Sequence, residues 1–444
     1  MGVSSDIETT STSILKPSST SPPHPLLNTY VPLTIFDEAA FDLHIPTLYA
    51  FRAPMPTNSA MKDGLSKVLS HFPHLSGRMC PDPNNNRPSI HLNNAGVRVI
   101  ETRTADTLAD RFPLDPSDEL ALLHPPTDAS VEYLLQVQLN RFACGGLVIG
   151  VTSHHRAADG HSMSGFLVRW AEAVRGLGLD SFPYLDRAAV SVPRSPPRSE
   201  FNHRAIEFKD GQDSGGPSPR SCSVIENLVV HYSAEFVSGL KRMVSEDEAV
   251  PTRRCSTFEC LLAHVWKKIT KARGLGENES SQVRVAVNGR ARMREPAVPM
   301  EFFGNLVLWA YPSLSTGEIL KKSHAYVVNA IHDSVAKVDE AYFRSFIDFG
   351  EMIRTGEVGE LSATAPEAGN SLCPNLEVDS WLRFNFHDLD FGTGGPCAFL
   401  PPNLPVEGLL IFVPSCKDKG AVDVFLALSG EHVELFKEIS HSLD

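Results

Sequence analysis

Val151-Thr152-Ser153-His154-His155-Arg156-Ala157-Ala158-Asp159-Gly160 is the stretch on which the reading of this 444-residue chain turns. Just upstream, Leu147, Val148 and Ile149 start an apolar run that predicts a buried strand reaching Val151. Downstream, Phe166, Leu167, Trp170, Ala171 and Val174 recur at helical spacing and Gly176 stops them, which predicts a helix over 162–175. A strand therefore ends on two histidines, and Asp159-Gly160 turns the chain into a helix. A strand end holds an imidazole in one place, and glycine permits the sharp turn. Histidine, with an ordinary pKa of ~6.5, suits a general base at neutral pH. Asp159, four residues on, can hold the loop through a buried charge pair. Singly, these residues also fit a core histidine and a helix-capping aspartate. The whole pattern at a strand–helix junction favours chemistry.

Outward from this stretch, residues 132–139 alternate, with Leu135, Val137 and Leu139 set against Gln136, Gln138 and Asn140. That predicts a strand with one buried face. Cys144-Gly145-Gly146 turns it back into the apolar strand. Met61, Leu65, Val68 and Leu69 share one face of a helix predicted over 60–71, stopped at Pro73. Residues 1–25 are rich in Ser, Thr and Pro and read as a disordered leader. Residues 181–222, with Pro193, Pro196, Pro197 and a glycine-rich run, read as a linker. Beyond it, helices are predicted over 256–273 and 432–443, and strands over 283–287, 305–311, 409–414 and 422–428. Helices and strands mix in both halves, so the fold class is α/β with mixed sheets in two domains, 26–180 and 223–444.

A formal net charge of -13 argues against a nucleic-acid surface or an anionic membrane, since both need clustered Lys and Arg. None of the eight cysteines stands in a C-x-x-C spacing, and reduced thiols suit them better than a disulfide framework. The N-terminal residues lack the apolar segment of a signal peptide, and no apolar run approaches the ~20 residues that span a bilayer. A cytoplasmic chain is expected.

His154-His155-x-x-x-Asp159-Gly160 resembles the H-H-x-x-x-D-G motif of the BAHD acyltransferases of plants. Their second motif, D-F-G-W-G, stands here as Asp390-Phe391-Gly392-Thr393-Gly394. Leu75-Ser76-Gly77-Arg78, Ser256-Thr257-Phe258, Asn288-Gly289-Arg290-Ala291-Arg292 and Phe303-Gly304-Asn305 fit too, so the resemblance covers nearly all of the chain after about Val31. The stretches from Glu377 to Arg383 and from Pro405 to Leu410 look like the agmatine coumaroyltransferase branch of grasses. That branch N-acylates amines with hydroxycinnamoyl-CoA. Two departures stand out: Thr393 replaces the usual Trp, and Asn288 the usual Asp. Both shape loops and are expected to be tolerated.

The resemblance implies two similar domains, each like chloramphenicol acetyltransferase, with a tunnel along their interface. Acyl-CoA is a co-substrate, no cofactor or metal is held, and no acyl-enzyme forms. His155 takes the acceptor's proton as the acceptor attacks the thioester. Asp390 joins His155 among the active-site residues but is expected to hold its loop through an arginine rather than to move a proton. Asp159 is expected to pair with Arg290, and Gly160 and Gly392 to shape the two motif loops. Ser256, Thr257, Arg290, Arg292, Ser380 and Trp381 match positions that line the CoA side in the family. A monomer whose only partners are acyl-CoA and a small amine is expected.

Glu377 and Asp379 stand two apart in a segment read as extended, so they share a face. Carboxylates in a desolvated channel are costly unless paired, and a cationic acceptor such as agmatine, putrescine, tryptamine or tyramine would pair them. The plain alternative is a surface pair or an internal salt bridge, for instance to Arg383. Within acyltransferases the rival acceptor is an alcohol such as shikimate or quinate, whose carboxylate this pair would repel. A rival of another class is a non-catalytic acyl-CoA-binding module. A metal centre at His154, His155, Asp159 and His161 would need four ligands to converge, yet adjacent strand residues point oppositely. Gly160-His161-Ser162-Met163-Ser164 lacks the last glycine of a hydrolase elbow.

Overall fold

Leu147–His154 lies inside a six-stranded mixed sheet, antiparallel to Leu135–Phe142 on one side and to His44–Phe51 on the other. The order continues outward from Leu135–Phe142 to Val97–Thr104, which is parallel to it, and then to Glu8–Leu15. At the far edge Ala398–Leu400 pairs with His44–Phe51. Gly150 is obligatory in the central strand, because a Cβ there would meet the carbonyl oxygen of Leu123 at 2.1 Å. This computed structural model describes residues 7–19, 24–112, 114, 116–117, 119–128, 130–178, 182–204, 206–210, 224–247, 255–359, 361–364 and 368–443.

Helices Asn58–Leu69 and Gly160–Val174 pack together beside this sheet. Gly64 lets them approach, since a Cβ there would lie 2.4 Å from Val174 Cγ2. Trp170, wholly buried, fixes the pair by donating its indole N–H to the Met61 carbonyl at 2.9 Å.

A second compact unit is built on a seven-stranded mixed sheet. Its order is Ile225–Tyr232, Val422–Ser429, Leu409–Pro414, Leu376–Ser380, Ser280–Asn288 and Val307–Ala310, with Ser313–Ser315 also on Ser280–Asn288. Leu376–Ser380 is parallel to both its neighbours. Helix Thr257–Arg273 is the longest here, opened by a capping box between Ser256 and Glu259 and closed by Gly274. Trp266 ties it to the sheet by donating to Ser281 Oγ at 2.9 Å. Ser281, Val283, Val285 and Val287 are buried, while the alternate residues Gln282, Arg284, Ala286 and Asn288 are only half-buried.

The α/β class with mixed sheets holds, and most of the predicted elements are present with ends shifted by a few residues. Three expectations change. The leader is not wholly irregular: Glu8–Leu15 is an edge strand paired with Val97–Thr104. Threonine, at positions 9, 10 and 12, suits an exposed strand. The units are not two contiguous halves either. The first comprises Met1–Pro193, Arg294–Leu306 and Phe384–Asn403, and the second Arg194–Met293, Val307–Arg383 and Leu404–Asp444. Both motifs, and with them Asp390, therefore belong to the first unit. Finally, the predicted linker starts as structure, with helix Arg187–Val190 in the first unit, while residues 211–222 lie outside the described ones. Among the described residues no helix is long and apolar enough to cross a membrane.

Candidate active site

His155 follows directly on the central strand, where its N–H donates to the Leu43 carbonyl at 2.9 Å. Its ring meets Phe41 edge-on at 5.6 Å. Asn305 holds it from the other side: Nδ2 donates to the His155 carbonyl and to Asp37 Oδ1, both at 2.9 Å. With Nδ2 committed to two acceptors, Asn305 Oδ1 is left to accept. His155 Nδ1 and Asn305 Oδ1 are both buried without a hydrogen-bond partner among the described residues. A proton on Nδ1 would leave the Nε2 lone pair free to act as a base. Burial lowers the pKa of His155 below its ordinary value, opposed by its own carbonyl, Asp159, Asn305 and Asp37. The ring is therefore neutral at pH 7, as a base must be.

Asp37 anchors this arrangement and is itself fully buried. Thr34-Ile35-Phe36-Asp37 is a capping box in which Asp37 Oδ2 accepts from the N–H and hydroxyl of Thr34, each at 2.9 Å. The same oxygen takes Arg187 Nη1 at 3.0 Å, and Nη2 of that arginine donates to the Ala157 carbonyl. His154 has other company: it meets His44 edge-on and lies 3.4 Å from Asp42, and burial, then His44, lower its pKa to about 4.

Asp159 caps helix Gly160–Val174, accepting from Ser162 N–H at 2.9 Å with Oδ1 and from Leu306 N–H at 3.1 Å with Oδ2. Ser162 adds a hydroxyl bond to the Gly304 carbonyl at 2.9 Å. One aspartate thus joins the histidine motif to the Phe303-Gly304-Asn305 turn that holds the histidine. Asp390 Oδ1 accepts three backbone N–H groups, from Gly392, Thr393 and Gly394, at 2.7 to 2.9 Å. Gly392 takes φ +107°, which a side chain rarely permits. Burial would raise the pKa of Asp390, but these donors and Arg175, 3.8 Å away, lower it. Phe391 anchors the loop edge-on against Phe51 and Trp170.

In the second unit, Ser256 and Thr257 open helix Thr257–Arg273, half-buried, with Ser256 Oγ accepting from Glu259 N–H. Asn288 Oδ1 accepts from Arg290 N–H at 3.0 Å, so asparagine caps this turn. Arg290 is buried and Arg292 half-buried. Ser380 ends its strand, and Trp381 N–H donates to the Phe412 carbonyl at 2.8 Å. Glu377 is buried and ion-paired, but to Arg284 at 3.1 Å rather than to Arg383. Arg284 also donates to the Thr364 carbonyl at 2.7 Å and lies 3.9 Å over the Trp309 ring. Burial raises the pKa of Glu377, with Arg284 opposing. Asp379, half-buried, has neither a hydrogen bond nor an ion pair among the described residues. Burial, then Glu377, push its carboxyl up to about 7. Among the described residues no group of three or more His, Cys, Asp or Glu converges to hold a metal.

Sequence reasoning passed over Asp37, Arg187, Arg284 and Trp309. The Thr34-x-x-Asp37 box was visible in the sequence; the arginines found their partners only through the fold.

A base-ready histidine on this fold defines an acyl-transfer class of protein. The chain belongs to the Transferase family, the BAHD acyltransferases, whose profile matches residues 5–443. It is 52% identical to tryptamine hydroxycinnamoyltransferase 2 of Oryza sativa subsp. japonica, over 93% of each chain. It is 43% identical to agmatine coumaroyltransferase-1 of Hordeum vulgare, over 93% of this chain and 94% of that one. Its fold is similar to that of the crystal structure of F. graminearum TRI101 complexed with coenzyme A and deoxynivalenol, at TM-score 0.76 and 19% identity, covering 92% of this chain and 97% of that one.

Proposed function

We propose that this enzyme transfers an aromatic acyl group, hydroxycinnamoyl or benzoyl in kind, from acyl-CoA to the nitrogen of a primary amine. The observation that carries the reading is the buried His155 ring at the end of the central strand, its backbone held by the Leu43 carbonyl and by Asn305, with burial lowering its pKa. In a single ternary complex, Nε2 takes the proton from the amine as the nitrogen attacks the thioester carbonyl, and CoA thiolate leaves. Ser256, Thr257, Arg290, Arg292, Ser380 and Trp381 hold the CoA side, and Asp379 meets the amine. The amine-acylating relatives support nitrogen over an alcohol oxygen as acceptor. Asp379 supports it independently, because a half-buried carboxyl with no partner among the described residues is a ready acceptor for an amine N–H.

The test is loss of thioester absorbance from p-coumaroyl-CoA with tryptamine, tyramine, agmatine, putrescine, shikimate and quinate offered separately. Turnover with amines and not with the two acids is expected. Turnover with the acids alone would replace the amine with an alcohol acceptor, and none at all would leave an acyl-CoA-binding module.

A further inference from the structure

The half-buried face of the second unit's sheet carries more charge than the two carboxylates read from the sequence. Arg284 and Glu377 stand directly opposite each other on adjacent parallel strands, and their side chains meet at 3.1 Å. The guanidinium is fixed from three directions. Glu377 holds it, the carbonyl and hydroxyl of Thr364 accept from it at 2.7 and 3.3 Å, and the Trp309 ring lies beneath it at 3.9 Å. A planar guanidinium that is stacked and bonded at once has little freedom to swing away.

Glu377 is thus no longer an open negative charge. Its carboxylate is paired with the Arg284 guanidinium. Asp379, two residues along the same face, is the carboxylate left over. The face therefore offers an incoming acceptor one carboxylate, one fixed cation and one indole, where the sequence suggested two carboxylates.

We propose that Arg284 sets acceptor specificity by occupying Glu377, so that the site takes an aromatic amine with a single cationic nitrogen, an arylethylamine, in preference to a dication. This rests on the reading above that this face receives the amine. A monocation satisfies Asp379 and presents no second charge. A dication of the agmatine or putrescine kind must put its remote cation near Arg284 with no second carboxylate to answer it, and like charges close together select against such a partner.

The experiment uses the full chain with p-coumaroyl-CoA and compares kcat/KM for tryptamine with that for agmatine. The wild type should favour tryptamine. Arg284→Gln frees Glu377 and removes the opposing cation, so the preference should move toward agmatine by roughly ten- to a hundredfold, the worth of one charge-assisted hydrogen bond. Most of that shift should appear in the agmatine KM. In Arg284→Gln/Glu377→Gln, with both charges gone, the preference should return toward tryptamine. The double variant removes both members of the ion pair together and strands neither, so it remains a test if the single variant does not fold. A wild type that prefers agmatine overturns the proposal, as does Arg284→Gln with an unchanged ratio or a double variant that takes both amines equally. A wild type that acylates no amine fails the function itself, a different result from any of these.

Discussion

The aspartates of the first unit and the carboxylates around Arg284 are built from the same chemical group and treated in opposite ways. Asp37, Asp159 and Asp390 each accept two or more donors from their own unit, most of them backbone N–H groups or well-held side chains. Asp379 accepts none among the described residues, and its pKa is displaced upward where that of Asp390 is displaced downward. A carboxylate whose lone pairs are filled by the protein is a fastener. One that is half-buried and left unfilled is stored capacity for an outside donor. Glu377 stands between these cases, filled by a single arginine, and is accordingly the position where a change of partner would alter what the site accepts.

The contrast can be broken most severely at the group the fasteners serve. His155→Ala should lose ~10²–10⁴-fold in kcat while CoA binding stays within a few-fold; retention of a tenth of the wild-type rate would mean the base lies elsewhere. His154→Ala, whose ring contacts His44 and Asp42, should cost far less.

Asp37→Ala should act on the fold. It strands Arg187 in the interior and costs about 3–5 kcal/mol, read as a lower Tm and poorer soluble yield. Asp37→Ala melting with the wild type would show that this carboxylate is not a fastener.

Asp379→Asn should do the reverse: a roughly ten- to hundredfold rise in amine KM, an unchanged acyl-CoA KM, and a Tm equal to or above wild type. Losing both activity and Tm would place it among the fasteners.

pH separates the two regions as well. The His155 pKa is lowered, so the protonated, inactive form is populated only below the ordinary ~6.5, and the acid limb of kcat/KM should fall there. Above it the rate should keep climbing toward the amine pKa, ~10.4 for a lysine-like amine. A plateau from pH 7 upward, with chemistry rate-limiting, would indicate an alcohol acceptor.

The smallest effect is expected at Asp390→Ala, where three loop N–H groups lose their acceptor at a partly exposed place. About 1–2 kcal/mol of stability is expected, with kcat reduced only in proportion to loop order.

The fold class and the strand–turn–helix around His155 were legible because each is local: apolar period and a glycine turn. The strand Glu8–Leu15 was missed because low hydrophobicity and prolines nearby resemble a disordered leader, although its Thr content suits an edge. What the sequence hid depends on long-range register. Arg284 meets Glu377 only because two strands run parallel at one offset, and Arg383, nearer in sequence, looked the better partner. Asn305 was visible as part of a motif, but its hold on His155 emerges only when the Gly304 turn is bonded to Ser162 and Asp159.

The interleaved chain path has a consequence for how the protein is made. The sheet that carries His155 is closed at its His44–Phe51 edge by Ala398–Leu400, and the other sheet waits for Leu409–Pro414 and Val422–Ser429. A ribosome that releases N-terminal domains to fold first has no finished domain to release here. Until the last tenth or so of the chain emerges, Leu48, Tyr49, Ala50 and Phe51, all buried in the end, sit on an open strand edge that another nascent chain can pair with. Truncation from the C-terminus therefore removes the histidine-bearing unit's last strand along with the second unit's, and yield in a foreign host should respond to chaperone supply and growth temperature before it responds to any change at the site.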